Sequence, residues 1–294
     1  MGNCPKLPGR IVSFANNGGL VLYGMIKGDL LAKGRTAEVY LWGDDQVLKL
    51  FYDWCPPPWV ERETKIAEAI SQTDIPAPKC FGPVIVDGRQ GIVFQRIQGF
   101  SLLKLMTSNP LHIAQYARLM ADLQSQIHRQ DGSALPPLRD WLRKDIQEAK
   151  PLSRTLRDFA CRVLEDLPDG HALCHFDFHP DQIMMTAQGP MVLDWMTAFQ
   201  GDPRADVART SVILTMGSAA HMGWVTRTLV GVARRQVHRS YLKQYIGHNK
   251  GTDLITIRKW MIPIGAARLN EEIGEEEGTI VRFLDDAFKQ KRSA

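Results

Sequence analysis

Apolar and polar positions along this chain follow two rhythms. Up to about residue 97 the apolar residues come in short runs rich in branched and aromatic side chains, separated by turn residues. "RIVSFA" (10–15) and "LVLYGMI" (20–26) flank Asn16-Asn17-Gly18-Gly19, a hairpin signature. "DLLAKGR" (29–35), "AEVYLW" (37–42) and "QVLKLFY" (46–52) predict three more strands, with a turn at Gly43-Asp44-Asp45. A helix-compatible run, "WVERETKIAEAISQ" (59–72), starts behind Pro56 to Pro58, and "PVIVDGRQGIVFQRI" (83–97) reads as a hairpin around Asp87-Gly88. Beyond Gly99 the period becomes 3.6. Asn109-Pro110 predicts a capped helix start, and Ile113, Tyr116, Met120, Leu123 and Ile127 share one face. Helices over 138–149 and 153–167, a short hairpin over 183–194, and a mostly helical stretch from Pro203 onward complete the pattern, with breaks near 247–252 and Gly274. The expectation is an α+β protein: a β-rich N-terminal lobe over residues 1–97 and a larger helical lobe over residues 98–294.

Composition narrows the setting. With 294 residues and 44% apolar content, the chain can bury a sizeable core. The formal charge of +4 and the lack of a dense Lys/Arg block give no sign of a nucleic-acid partner. Five scattered cysteines without a CxxC pair read as reduced thiols in a cytoplasmic protein. The start MGNCPK has Lys6 where a myristoylation signal wants Ser or Thr, and no signal peptide is visible. The apolar stretch from Ser211 to Ala233 contains His221 and Arg227 and reads as buried helix, with no membrane partner implied.

Chemistry concentrates in "LCHFDFHPDQIMM" (173–185). His171, His175 and His179 are spaced four apart, but Pro180 and the Phe-Asp-Phe alternation argue against the continuous helix that would align them for zinc. A second reading uses Asp194. The predicted hairpin returns the chain so that Asp194 comes beside the loop carrying Asp177 and Gln182. Two carboxylates and an amide oxygen suit Mg²⁺, which prefers hard oxygens. A carboxylate left free of the metal can accept a hydroxyl proton.

At these residues the chain resembles a known group. "HFDFHPDQ" resembles the H-G-D-x-H-x-x-N loop of the aminoglycoside phosphotransferase and choline kinase-like enzymes, and "VLDWMTAFQGDPRADVA" resembles their metal-binding aspartate followed by G-D-P-x-x-D-x-A. The resemblance runs from about Leu30 to the C-terminal helices and implies a two-lobed protein-kinase-like fold using ATP and Mg²⁺. By position it implies Asp177 as catalytic base, His175 as brace of the loop, His179 near the transferred phosphate, and Asp194 and Gln182 as metal ligands. Asp206 would pin the loop from a helix N-terminus, or be an ordinary first-turn acid. Lys49 in "VLKLF" would contact phosphates and Glu63 would hold it, with Glu61 and Glu68 as competitors. Gly34 would lie over the phosphates. Gln95 and Ile97, in the connector "FQRIQG", would face adenine unless that stretch is a plain connector.

Two departures matter. Gln182 stands where the group usually has Asn, moving the amide oxygen by up to about 1.5 Å. Phe176 replaces the usual Gly. Both leave open a catalytically impaired nucleotide-binding or scaffold protein beside the main reading, a kinase acting on a small-molecule hydroxyl. The eleven residues 195–205 between Asp194 and Asp206 leave no room for a long activation segment, which favours a small acceptor over a protein. The acidic run "NEEIGEEEGTIVRFLDD" is either a solvated helix face or, as in the resembled group, a lining for cationic, aminoglycoside-like substrates. Trp195, Trp224 and Trp260 would stack on a quaternary amine or pack in the core.

Overall fold

A computed structural model of the chain describes residues 27–217 and 224–293, the side chains of 224–227 and 293 excepted. The hairpin expected around Asn16 to Gly19, the start of the chain with Cys4, and the Trp224 side chain lie outside the described residues. The described chain forms two compact units. The first comprises residues up to Gly99 together with Met184–Met196; the second comprises Phe100–Ile183 and the residues from Thr197 on.

In the first unit, β1 (Lys27–Lys33), β2 (Ala37–Trp42), β3 (Gln46–Phe51), β4 (Cys80–Val86) and β5 (Arg89–Gln95) make an antiparallel sheet in the order β1-β2-β3-β5-β4. The β4–β5 turn is Asp87 (φ 52°) and Gly88 (φ 78°), the pair of positive φ values that a tight hairpin requires. Helix α1 (Pro57–Ser71) begins behind Pro56 with proline in its first turn, as the three prolines predict. Its buried stripe is Val60, Glu63, Thr64, Ile66, Ala67 and Ile70, so a carboxylate is carried into an otherwise largely apolar face. Alternation along β3 decides what meets that stripe. Leu48 and Leu50 join Trp42, Val84, Val86 and Val93 in one cluster, whereas Phe51 joins Val60 and Ile92 in another. Lys49 therefore points to the same side as Phe51. The hairpin β8 (Ile183–Thr186) and β9 (Gly189–Val192) belongs with this unit, and the Val192 amide donates to the Pro76 carbonyl at 2.7 Å.

The second unit opens with a two-residue strand, β6 (Phe100–Ser101), and α2 (Leu102–Ser108), which Ser101 caps through its side chain. Helix α3 (Ile113–Ile127) follows a short 3-10 turn over Pro110–His112. Asn109 has φ −130° and ψ 68°, and its side chain does not cap, so the expected Asn cap is replaced by the 3-10 lead-in. Next come α4 (Leu138–Glu148) and α5 (Arg154–Glu165), the latter capped by Ser153. Strands β7 (Ala172–Cys174) and β10 (Phe199–Gly201) pair antiparallel. Helices α6 (Pro203–Met216), α7 (Trp224–His248), α8 (Leu254–Arg268) and α9 (Gly274–Ser293) complete the unit. Helix α8 runs through its middle, packed by α4, α5, α6 and α9. Its residues from Ile264 to Arg268 are all buried, whereas Arg258 and Lys259 in its first half are exposed. Trp260 is 2% exposed in this helix and Trp195 is 8% exposed in the first unit; both are core residues. No helix among the described residues is long and apolar enough to cross a membrane.

Gly132 shows how closely the loops of the second unit approach. Its amide donates to the His171 carbonyl at 2.7 Å, and a Cβ added there would lie 2.6 Å from the Ala172 carbonyl oxygen. Gly132→Ala is therefore expected to cost about 1–3 kcal/mol by overpacking, a loss of several degrees in Tm by calorimetry. Gly247→Ala, on α7 with nothing within 4 Å of the added carbon, is the control and holds or raises Tm.

Candidate active site

Within the first unit lie a lysine, two acids and the stretch that leaves the sheet. Central placement of β3 takes Lys49 out of reach of the edge position that a lone strand lysine usually occupies. Its Nζ lies 2.5 Å from Glu63 Oε1 and 3.7 Å from Asp194 Oδ1. Glu63 is chosen over Glu61 and Glu68 because it alone falls in the buried stripe of α1; the other two are exposed. Burial would lower the Lys49 ammonium, but the charges of Glu63 and Asp194 outweigh it and hold the group above its ordinary value. Asp194, just past β9, has φ 57° and a side chain 39% exposed. Left-handed backbone at a non-glycine residue is a costly conformation that tends to persist at functional sites. Gly34 closes the β1–β2 turn with its amide on the Ala37 carbonyl at 2.8 Å. An added Cβ would meet only that oxygen, at 3.4 Å, so the backbone does not demand glycine. Gln95 ends β5, its amide on the Lys79 carbonyl at 2.8 Å, and Ile97 is half-buried in the stretch that leaves the sheet.

Within the second unit lies the loop after β7. His171, His175 and His179 lie on no common helix: they fall before β7, after it, and at the start of a 3-10 turn over Pro180–Gln182. His175 is fully buried. Its Nδ1 accepts from the Asp177 amide at 3.2 Å, and its carbonyl accepts from Thr197 Oγ1 at 3.0 Å. His179 caps the 3-10 turn, Nδ1 accepting from the Asp181 amide, while its Nε2 lies 3.7 Å from Asp177 Oδ2. Gln182 is half-buried at the end of that turn, its amide on the His179 carbonyl at 3.0 Å. Burial would push the Asp177 carboxyl up; His179 first, then the charges of Arg209 and His175, outweigh it and hold the group far below the carboxylate range. Asp177 is therefore ionised at neutral pH.

Helix α6 holds this loop. Asp206, fully buried, accepts from the His175 amide at 2.9 Å, the Phe176 amide at 2.8 Å and His128 Nε2 at 2.9 Å. Between the two roles open for Asp206, the geometry shows the pinning one. Arg209 Nε donates to the Phe176 carbonyl at 3.1 Å and Thr210 Oγ1 to the Phe178 carbonyl at 3.0 Å. Positions 206, 209 and 210 share one helical face, so three side chains hold four backbone groups of the loop. The motif reading stopped at Asp206 and missed Arg209, Thr210, Thr197 and His128. For Arg209 and Thr210 the signal was their i+3 and i+4 spacing from Asp206; Thr197 and His128, on other elements, gave none.

Phe176 does not crowd the loop. It takes φ 65°, the conformation a glycine would adopt, and its ring is buried edge-on against Trp141 and Phe199 at 5.4 and 5.6 Å. His128, Cys174 and Asp206 bring metal-type atoms within 4.8 Å of one another. They are already committed elsewhere: both Asp206 oxygens accept loop amides, and burial, with the nearby Asp206 and Asp202 charges, holds the Cys174 thiol protonated.

Burial would raise the Asp206 carboxyl, yet the His128 hydrogen bond and charge, with the His175 charge, set it below its ordinary value. Because its folded pKa lies below the unfolded one, its contribution to stability is complete above about pH 4 and is lost as pH falls through the folded pKa. Asp206→Asn is expected to cost about 3–5 kcal/mol at pH 7. The gap to the unchanged protein should close as urea titrations are taken to lower pH.

The phosphotransferase enzyme family model matches residues 28–239. A search of curated proteins found no match. Among solved structures, the GDP and kanamycin complex of APH(2")-IIia is 14% identical, with 91% of this chain and 94% of that one covered at a TM-score of 0.57. The streptomycin-ATP complex of APH(2")-IIa is 16% identical, covering 89% and 91% at a TM-score of 0.54. APH(3'')-Id from Streptomyces rimosus, with ADP and streptomycin, is 14% identical, covering 78% and 90% at 0.52. At these identities the structures establish the aminoglycoside phosphotransferase kind of kinase-like fold, while the match over residues 28–239 makes the chain a member of the phosphotransferase enzyme family.

Proposed function

We propose that this protein is a cytoplasmic kinase that moves the γ-phosphate of ATP, with Mg²⁺, to a hydroxyl of a small molecule. The observation that carries the reading is the half-buried Lys49, paired with Glu63 and facing Asp194. A lysine fixed this way is suited to phosphate oxygens, and structural neighbours hold GDP or ATP. The Asp194 carboxylate in the first unit and the Gln182 side-chain amide in the second each offer a hard oxygen, the kind of ligand Mg²⁺ prefers. When bound, the metal would neutralise charge on the transferring phosphoryl group. Lys49 Nζ would orient phosphate oxygens, and Gly34 would cover them. The backbone of Gln95 and Ile97 would receive the base. Asp177 would accept the proton of the acceptor hydroxyl at a carboxylate oxygen, with His175 fixing its amide and His179 beside it.

For the acceptor, aminoglycosides are the first compounds to assay, because neighbours bind kanamycin and streptomycin. The acidic run bears on the choice. Glu271 and Glu276 are paired with Arg209 and Arg268, and Glu272 with Lys150, so a polycation would have to compete for these acids. Gln182 supports the second reading, an impaired nucleotide-binding protein, since Mg²⁺ is strict about ligand geometry.

Two measurements test the proposal. Mg·ATP and Mg·GTP at millimolar concentration are expected to raise Tm by mass action, and Asp194→Ala to remove most of the Mg²⁺-dependent part. No shift with either nucleotide would end both readings. In an ADP-release assay with a hydroxyl-compound panel, Asp177→Asn is expected to lower turnover by about 10²–10⁴ while leaving nucleotide affinity unchanged. Binding without turnover on every acceptor, in the unchanged protein and in Gln182→Asn alike, would select the impaired reading.

A further inference from the structure

Arg209 is 4% exposed, and nearly all of what surrounds it belongs to one functional element. Its Nε donates to the Phe176 carbonyl at 3.1 Å, and its guanidinium lies over the Phe176 ring, 5.4 Å from the centroid. A single side chain thus grips both the backbone and the ring of the residue immediately before Asp177. That residue sits at φ 65°, the left-handed region that is costly for a non-glycine residue. The far side of the guanidinium reaches the C-terminal part of the unit. Arg209 Nη2 donates to Glu271 at 2.6 Å; Glu271 accepts from Arg268 at 3.1 Å; Arg268 forks onto Glu276 at 2.5 and 3.0 Å. Arg268 is 7% and Glu276 5% exposed, so the chain of charges is largely dry, where such pairs are rigid and sensitive to loss of one partner. Glu276 lies in the first turn of α9, which ties the end of the chain to the loop.

We propose that Arg209 is the positioning residue for Asp177: it holds Phe176 in the left-handed conformation that aims the loop, and the Glu271–Arg268–Glu276 chain holds Arg209. Glycine in that place would reach the conformation unaided. Phenylalanine reaches it because its ring is packed between Trp141, Phe199 and the Arg209 guanidinium and its carbonyl is tied down by that same arginine. The kinetic part of this proposal rests on the phosphotransferase reading; the structural part does not.

The test uses the full chain with Arg209→Lys, Glu271→Gln and Phe176→Gly, read by hydrogen exchange and by turnover of Mg·ATP with water as acceptor. Arg209→Lys keeps the charge but loses the fork that serves Phe176 and Glu271 together. Exchange should accelerate in peptides covering 173–179 and 269–276, and stay unchanged in α3 and α7. Glu271→Gln should give the same two-site pattern at smaller amplitude. Turnover in Arg209→Lys should fall by about 10- to 100-fold, the cost of a misplaced catalytic group. The KM for Mg·ATP and the nucleotide-induced Tm shift should hold within about twofold. In an Asp177→Asn background, Arg209→Lys should add almost nothing, because a residue acting through Asp177 has nothing left to position. In a Phe176→Gly background its effect on loop exchange should shrink, since glycine needs no hold. Unchanged exchange at 173–179, a uniform rise across the unit, or multiplicative losses in the Asp177→Asn background would each overturn the proposal. Absent turnover in the unchanged protein, with water and with all acceptors, would count against the phosphotransferase reading alone, and exchange would still decide the role of Arg209.

Discussion

A buried carboxylate has to be surrounded by donors, and in this protein that requirement fixes the loop carrying Asp177. Asp206 has no access to water, so its two oxygens are satisfied by the amides of His175 and Phe176 and by His128. With those amides engaged, the loop lies against α6, and Phe176 is in the left-handed region. Once the amides are engaged, the carbonyls of Phe176 and Phe178 fall within reach of Arg209 and Thr210, one turn further along the same helix. The order of dependence runs from the helix to the loop. Strand β7 ends at Cys174, and the residues after it have no ladder of their own to hold them.

The first unit solves a different problem by the same economy of geometry. A lysine in the middle strand of a sheet must face a partner or lose its charge. The two-residue period of β3 sends Lys49 to the α1 side, and the helical period of α1 brings Glu63 there. One period from each element is enough to make the pair. Asp194 joins it from the end of a hairpin that is remote in sequence, and its ion pair with Lys49 lies within one compact unit.

What was legible in the sequence follows from which of these arrangements are periodic. The strands up to Gln95, helix α1 and the Asp87-Gly88 turn were visible because alternation, prolines and a turn pair mark them. Choosing Glu63 over Glu61 and Glu68 needed the stripe as well as the motif. Strands β7 and β10, three residues each, are too short to show alternation. Helix α6 and the second half of α8 are buried on most sides, so they show little polar rhythm. Asn109 failed as a cap because its backbone leaves the extended conformation that capping needs. The grouping of Met184–Met196 with the N-terminal strands is a long-range packing outcome that no local pattern encodes. Arg209 lay beyond the end of the motif, and its partners Phe176 and Glu271 are 33 and 62 residues away.

The left-handed Phe176 has a consequence for descent. A glycine in a tight loop is usually taken as irreplaceable, and its loss as the mark of a decaying gene. Here the shape of the loop is written into the neighbouring helix, so the loop residue itself is released to drift, provided the helix keeps its aspartate, arginine and threonine. Two lineages could then carry the same loop with different letters in it, one relying on glycine and one on a distant arginine, and the first would not survive receiving the phenylalanine loop alone. Grafting "HFDFH" into a relative without the helix residues should fail where grafting loop and helix together succeeds.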